Sequence, residues 1–196
     1  EIANKMGKPE NAPNPAIMSP KVVSYIGIGG SDWGTHVESE HQIQSMTPAW
    51  KVIDNEWVPW AKTALMQDEL IERAREIGTN IAEAAKDIEH AEFKGKKGVC
   101  PHCNCNDFYL VPGENRAICC VCGLEGTVDV VDGVVTVSYK DEDLHKAHDT
   151  ISGKKIHGED IGRNEGILAE MKKTPEYKER VAFYRDAIQP VMPERD

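Results

Sequence analysis

Six cysteines fall within 23 consecutive positions, 100 to 122, and nowhere else in the 196-residue chain. A secreted disulfide scaffold spreads its cysteines to tie distant loops together. A cluster this local reads as a metal or cluster site in a reducing compartment, which places the protein in the cytoplasm. Cys100-Pro101-His102-Cys103 is followed, fifteen residues on, by Cys119-Cys120-Val121-Cys122-Gly123. That C-x2-C, x15, C-x2-C spacing is zinc-ribbon spacing. Two thiolates three positions apart turn onto one ion, and two such knuckles supply a tetrahedron with bonds of about 2.3 Å. Cys100, Cys103, Cys119 and Cys122 are therefore the expected ligands of one zinc. With every position taken by thiolate, the role is structural and not catalytic. Cys105 and Cys120 are left over. They are either small side chains beside the site, or evidence for an iron–sulfur cluster on Cys100, Cys103, Cys105 and one later cysteine. His102 is left out of the ligand set.

The rest of the chain organises around this region. Residues 108–111 and 117–118 read as short strands. Residues 127–131 and 134–139 flank Asp132-Gly133, a pair suited to a two-residue hairpin turn. Upstream, residues 21–28 form a strand with apolar side chains on both faces, as in a parallel strand covered on two sides. It runs into Gly29-Gly30-Ser31-Asp32-Trp33, and a helix over 35–46 follows. Residues 52–54 read as a short strand and 57–60 as an apolar loop. Over 68–92, Leu70, Ala74, Ile77, Ile81, Ala84 and Ile88 put one apolar stripe on a charged helix. The Pro-rich residues 1–20 read as linker. Residues 140–174, punctuated by glycine, read as irregular, and 175–188 as a helix stopped by Pro190 and Pro193. The expected division is a linker (1–20), an α/β part (21–92), a zinc ribbon (97–139), then an irregular segment with a C-terminal helix (140–196).

Composition excludes some classes. Hydrophobic residues at 40% support a modest core, whereas the net charge of −10 argues against a nucleic-acid partner. No apolar run reaches the ~18 residues of a membrane helix. Glu1 opens a polar stretch with no signal-peptide pattern, and the absence of Met at position 1 reads as a fragment or a processed product.

The order of strand, Gly-Gly-Ser-Asp-Trp loop, helix, Val-Ile-Asp strand, amphipathic helix and CPxC…CxCG ribbon resembles the C-terminal part of flavodoxin-like NAD(P)H-dependent FMN reductases with an appended zinc ribbon. Residues 22–33, 50–54, 69–85 and 100–126 carry the likeness. It implies an α/β fold in which residues 21–92 are the C-terminal half of a five-stranded parallel sheet, with FMN at the carboxyl ends of its strands. It also implies that Gly29, Gly30, Ser31, Asp32 and Trp33 lie beside the isoalloxazine ring, and that NAD(P)H and an unidentified electron acceptor are the partners. The flavin carries the hydride chemistry, so no catalytic side chain is nominated. A carboxylate at Asp32 would lower the flavin potential; alternatively Ser31 or Asp32 caps the following helix. The first three strands of such a sheet are missing, so an N-terminal half or a second chain is expected to complete it, and FMN binding to depend on that completion. An oligomer is expected. The competing readings are a non-enzymatic zinc-ribbon subunit or adaptor that docks on a partner protein, and an iron–sulfur electron carrier.

Overall fold

The computed structural model describes Ala16 and residues 19–188. Most of the 1–20 linker reading, and both Pro190 and Pro193, lie outside these residues. The chain divides into two compact units, Glu1–Ile156 and His157–Asp196.

In the first unit, β1 (Val22–Ile28) and β2 (Lys51–Val58) pair in parallel. Parallel strands need a crossover, and α1 (Val37–Met46) supplies it. The register runs from Val22 opposite Lys51 to Ile28 opposite Val58, with one slip between Val23 and Ser24. Ile53 is the extra residue there. Its side chain is fully buried, and its carbonyl accepts the Lys94 amide at 2.7 Å. The sequence reading placed Trp57 and Val58 in a loop, but both belong to β2. The Trp57 ring packs over Gly27, Gly29 and Gly34, and that side-chain fit extends the strand. Helix α2 (Asp68–Ala84) packs on β2. It stops at Ala84 rather than reaching residue 92, because the chain turns back so that Lys94 can meet Ile53. Ile26 and Ile28 of β1 are 44% and 68% exposed. Among the described residues β1 pairs with β2 alone.

The cysteine region forms an antiparallel sheet in the order β3 (Phe108–Leu110), β4 (Ala117–Cys119), β5 (Glu125–Val131), β6 (Val134–Ser138). The hairpin turns through Asp132 (φ 52°) and Gly133 (φ 79°). Two successive positive φ values match the twist of the flanking strands. Ribbon and α1 are tied together by two hydrogen bonds: Ser39 Oγ donates to the Asp107 carboxylate, and Gln42 Nε2 donates to Cys103 O at 2.8 Å.

The expectation of irregular structure over 140–174 is overturned by α3 (Ile151–Met171). Gly153, Gly158, Gly162 and Gly166 recur through it, and each costs helix propensity of about 1 kcal/mol, which is why the segment does not read as helical. Gly153 has a packing reason: a Cβ there would lie 2.0 Å from the Ala147 carbonyl oxygen. Helix α4 (Pro175–Ala187) lies where the sequence placed it. Thr174 caps it, accepting the Tyr177 amide at 3.2 Å, and Pro175 occupies the first turn. No helix among the described residues is long and apolar enough to cross a membrane.

Candidate metal centre and loop site

Two turns bring the four predicted ligands together. In the first knuckle, Asn104 N–H donates to Cys100 O and Cys100 N–H to Cys105 O, and the backbone passes through a positive φ at Asn104. In the second, Gly123 N–H donates to Cys119 O at a φ of 73°. Glycine suits that left-handed position because it has no Cβ penalty. The Sγ atoms of Cys100, Cys103, Cys119 and Cys122 all lie within 4.8 Å of one another. Individual pairs stand at 3.4 Å (Cys100–Cys103), 3.5 Å (Cys103–Cys119) and 3.9 Å (Cys100–Cys122). Bonds of about 2.3 Å at a tetrahedral angle put sulfurs ~3.8 Å apart, so the spacing fits one soft ion. Cys103 donates to Cys100 and pulls its pKa down to about 6, and hydrogen bonds hold Cys119 low as well. Cys103 and Cys122 are pushed up in return.

Sequence reasoning missed the support around these sulfurs. Tyr139 OH is hydrogen-bonded to Cys100 Sγ at 3.2 Å, and a lone tyrosine at the end of a hairpin strand gives no warning of that. His102 turns away from the sulfurs to Asp149, 2.8 Å away. Burial would lower the His102 pKa, but the Asp149 hydrogen bond dominates and raises it. Cys105 Sγ accepts the Asp107 amide at 3.2 Å, and Cys120 is exposed; neither joins the group of four.

The second predicted site is the loop after β1. Gly29 N–H donates to Val58 O, and Gly29 O accepts the Ala61 amide. A Cβ on Gly29 would lie 2.0 Å from the Trp57 ring, and one on Gly34 would lie 2.3 Å from it. These two glycines are required by packing. A Cβ on Gly30 meets nothing within 4 Å. The amides of Gly30, Ser31 and Asp32 donate to no described residue. Trp33 N–H donates to Ser31 Oγ at 3.3 Å, and the Trp33 side chain is 84% exposed. Neither Ser31 nor Asp32 caps α1, whose N-cap is His36 without a side-chain cap; the capping alternative for these residues is therefore corrected. The loop presents amide donors without a partner among the described residues, and a flat side chain, at the carboxyl end of a parallel strand, where such folds bind ligands.

Two polar networks hold this end of the sheet. The Asp54 carboxylate, fully buried in β2, receives Arg73 Nη2 at 2.5 Å and Asn80 Nδ2 at 3.3 Å. Arg73 also reaches Glu56 at 2.9 Å and Glu76 at 2.8 Å. On the α1 side, His41 stacks on Tyr25 with centroids 5.1 Å apart, and its Nδ1 lies 3.0 Å from Asn55 Oδ1. Asn55 in turn donates to Glu38 O. A cavity of about 550 Å³ opens between Asp32, Gly34, α1, β2 and Asp107.

The fold and the two sites define an α/β protein with a four-cysteine ribbon. Over 98% of its length the chain superposes on a solved structure titled flavone reductase, with a TM-score of 0.87 and 48% sequence identity. The α/β fold of that protein is thereby shared over the matched length. The chain spans 66% of the length of that protein. No protein-family model matches the chain, and neither does any curated protein.

Proposed function

We propose that this chain is part of an FMN-dependent NAD(P)H oxidoreductase of the flavone-reductase kind, with a structural zinc at Cys100, Cys103, Cys119 and Cys122. The carrying observation is the 48% identity to flavone reductase over 98% of the chain. The loop chemistry supports it: the unpaired amides of Gly30, Ser31 and Asp32 suit the carbonyls and ring nitrogens of an isoalloxazine, and Gly30 leaves room for close approach. When bound, FMN supplies the hydride chemistry. This chain's own residues orient and shield. Gly29 and Gly34 let Trp57 brace the loop from beneath, and Trp33 lies at the mouth, where a planar aromatic substrate would enter. The Asp32 carboxylate, if near the ring, disfavours an anionic reduced flavin and lowers the potential. Further strands beside β1, from elsewhere in the polypeptide or from a second chain, complete the sheet; the exposed Ile26 and Ile28 support this. The reducing chemistry required by free thiolates supports a cytoplasmic setting. A flat aromatic ketone of the flavone type is the acceptor to test first.

The test is flavin retention. The full-length protein is purified, heat-treated, and the released flavin identified by chromatography. FMN is the expected result, and Gly30→Val should weaken FMN binding at least about tenfold, or ~1.4 kcal/mol, with zinc content unchanged. A protein that neither retains nor rebinds FMN overturns the reading.

A further inference from the structure

Helix α1 departs from the usual pattern of a helix packed on a core. Such a helix buries an apolar stripe, yet the residues α1 buries are Ser39, Gln42 and Ser45, which share one face. Burying polar groups is costly unless they are hydrogen-bonded. Ser45 is satisfied within the helix, its Oγ donating to Gln42 O at 2.9 Å. Ser39 and Gln42 reach the cysteine ribbon instead. Ser39 Oγ donates to the Asp107 carboxylate, and Gln42 Nε2 donates to Cys103 O at 2.8 Å. Gln42 makes this bond although its own Oε1 is buried without a partner. Both acceptors are fixed by the knuckles. Cys103 is one of the four clustered cysteines. Asp107 N–H donates to Cys105 Sγ at 3.2 Å, and Asp107 O accepts the Cys120 amide at 3.0 Å. At its other end α1 meets the loop after β1, where Val37 N–H donates to Gly34 O at 3.1 Å. One cavity has Asp32 and Gly34 of the loop, Ser39 and Gln42 of α1, and Cys105 and Asp107 of the ribbon in its walls.

We infer that the ribbon braces the flavin loop: the filled metal centre fixes Cys103 and Asp107, these hold α1 through Gln42 and Ser39, and α1 sets the position of residues 29–34. The inference rests on the zinc and FMN reading given above. Four thiolates leave the ion no open position and so no chemistry of its own; the bonds to α1 give it a task at a distance. Ser39 and Gln42 are positioning residues, acting on the loop through the helix. A ribbon of this size loses much of its folding free energy with its ion, and the polar face of α1 then loses its partners. The direction follows: metal loss weakens FMN binding, and by linkage FMN tightens metal binding by the same factor. Asn55 donating to Glu38 O, and His41 beside Asn55, tie α1 to β2 without the ribbon. Helix α1 therefore stays in place when the metal is lost, and the effect on FMN is graded.

The experiment is titration of the full-length protein with FMN, zinc-loaded and chelator-stripped, with zinc content measured in each sample. Stripping should weaken FMN binding about tenfold, within the usual span of coupling between two sites. Ser39→Ala combined with Gln42→Met should weaken it as much with zinc fully bound, and stripping that variant should cost little more. Ser45→Ala, whose lost hydroxyl bonds only within α1, should change FMN affinity by less than about twofold. Amide hydrogen exchange over α1 should quicken in the stripped wild type and in the double variant, and not in Ser45→Ala. If the double variant does not fold, the loaded and stripped wild type decide; if the stripped protein does not fold, the zinc-loaded double variant decides. Equal FMN affinity with and without zinc overturns the inference, and so does a zinc-loaded double variant that binds FMN as the wild type does. In both cases the zinc and FMN reading stands. A protein that takes up neither zinc nor FMN overturns that reading and this inference with it.

Discussion

A side chain added to the loop after β1 should cost stability at two glycines and not at the third between them. None of the three has a positive φ, so alanine is allowed by the backbone and only the neighbours matter. At Gly34, a Cβ would lie 2.3 Å, 2.4 Å and 2.7 Å from Cε2, Cζ2 and Nε1 of Trp57; at Gly29 the nearest ring atom is 2.0 Å away. Separations this short cannot be absorbed without shifting the indole, whose Nε1 is buried without a partner. Overpacking of this kind costs about 1–3 kcal/mol. With a urea slope of ~1–3 kcal/mol/M, that moves the midpoint down by roughly 1 M. Gly30→Ala adds a methyl to open space and should stay within about 0.5 kcal/mol. Urea melts of the full-length protein followed by circular dichroism provide the comparison. Trp57→Phe removes the clashing ring atoms, so Gly34→Ala should cost at least about 1 kcal/mol less in that background. If Gly29→Ala and Gly34→Ala each cost less than about 0.5 kcal/mol, Trp57 does not brace the loop and the packing argument fails.

Cys103→Ser should abolish stoichiometric zinc and melt the ribbon sheet while α2 survives, because a ribbon of this size draws much of its folding free energy from metal; metal analysis and ribbon amide NMR signals check this, and full zinc retention refutes the ligand set. Arg73→Met should destabilise by about 3–5 kcal/mol, since it leaves the fully buried Asp54 carboxylate without its cation; a urea-melt loss below about 1 kcal/mol contradicts the network's role. Glu38 is raised above its ordinary value of 4.5, chiefly by burial and then by Glu56, so its neutral form favours folding below that value and the benefit is lost as pH rises through the folded pKa. Glu38→Gln should therefore be more stable than the wild type at pH 7, with the gap closing toward pH 4.5; melts at the two pH values that show no such convergence count against it.

The ribbon was the most legible part because its spacing is set by coordination chemistry: Cys100, Cys103, Cys119 and Cys122 meet as their intervals require. The Asp132-Gly133 turn was legible for a similar local reason, two adjacent residues that accept positive φ. What the sequence hid depends on distant partners. Trp57 reads as loop until the glycines beneath it are seen, and the end of α2 is set by the Lys94 bond to Ile53 rather than by any stop signal. The length of α3 was hidden by its glycines, which weaken local propensity without preventing the helix. Tyr139 and Asp149 support the first cysteine knuckle through contacts across 39 and 47 residues of sequence. In the glycine loop, the pattern singled out five residues together. The structure separates Gly29, held by Trp57, from Gly30, which has open space.

The most direct measurement is the anaerobic absorbance of the full-length protein loaded with FMN, recorded before and after adding NADH or NADPH and again after adding a flavone. The flavin band should bleach with the nucleotide and return with the flavone, and both changes should slow in Gly30→Val while zinc content holds. A protein whose FMN band is absent, or is unmoved by either nucleotide, contradicts the assignment of this chain to a flavin-dependent oxidoreductase.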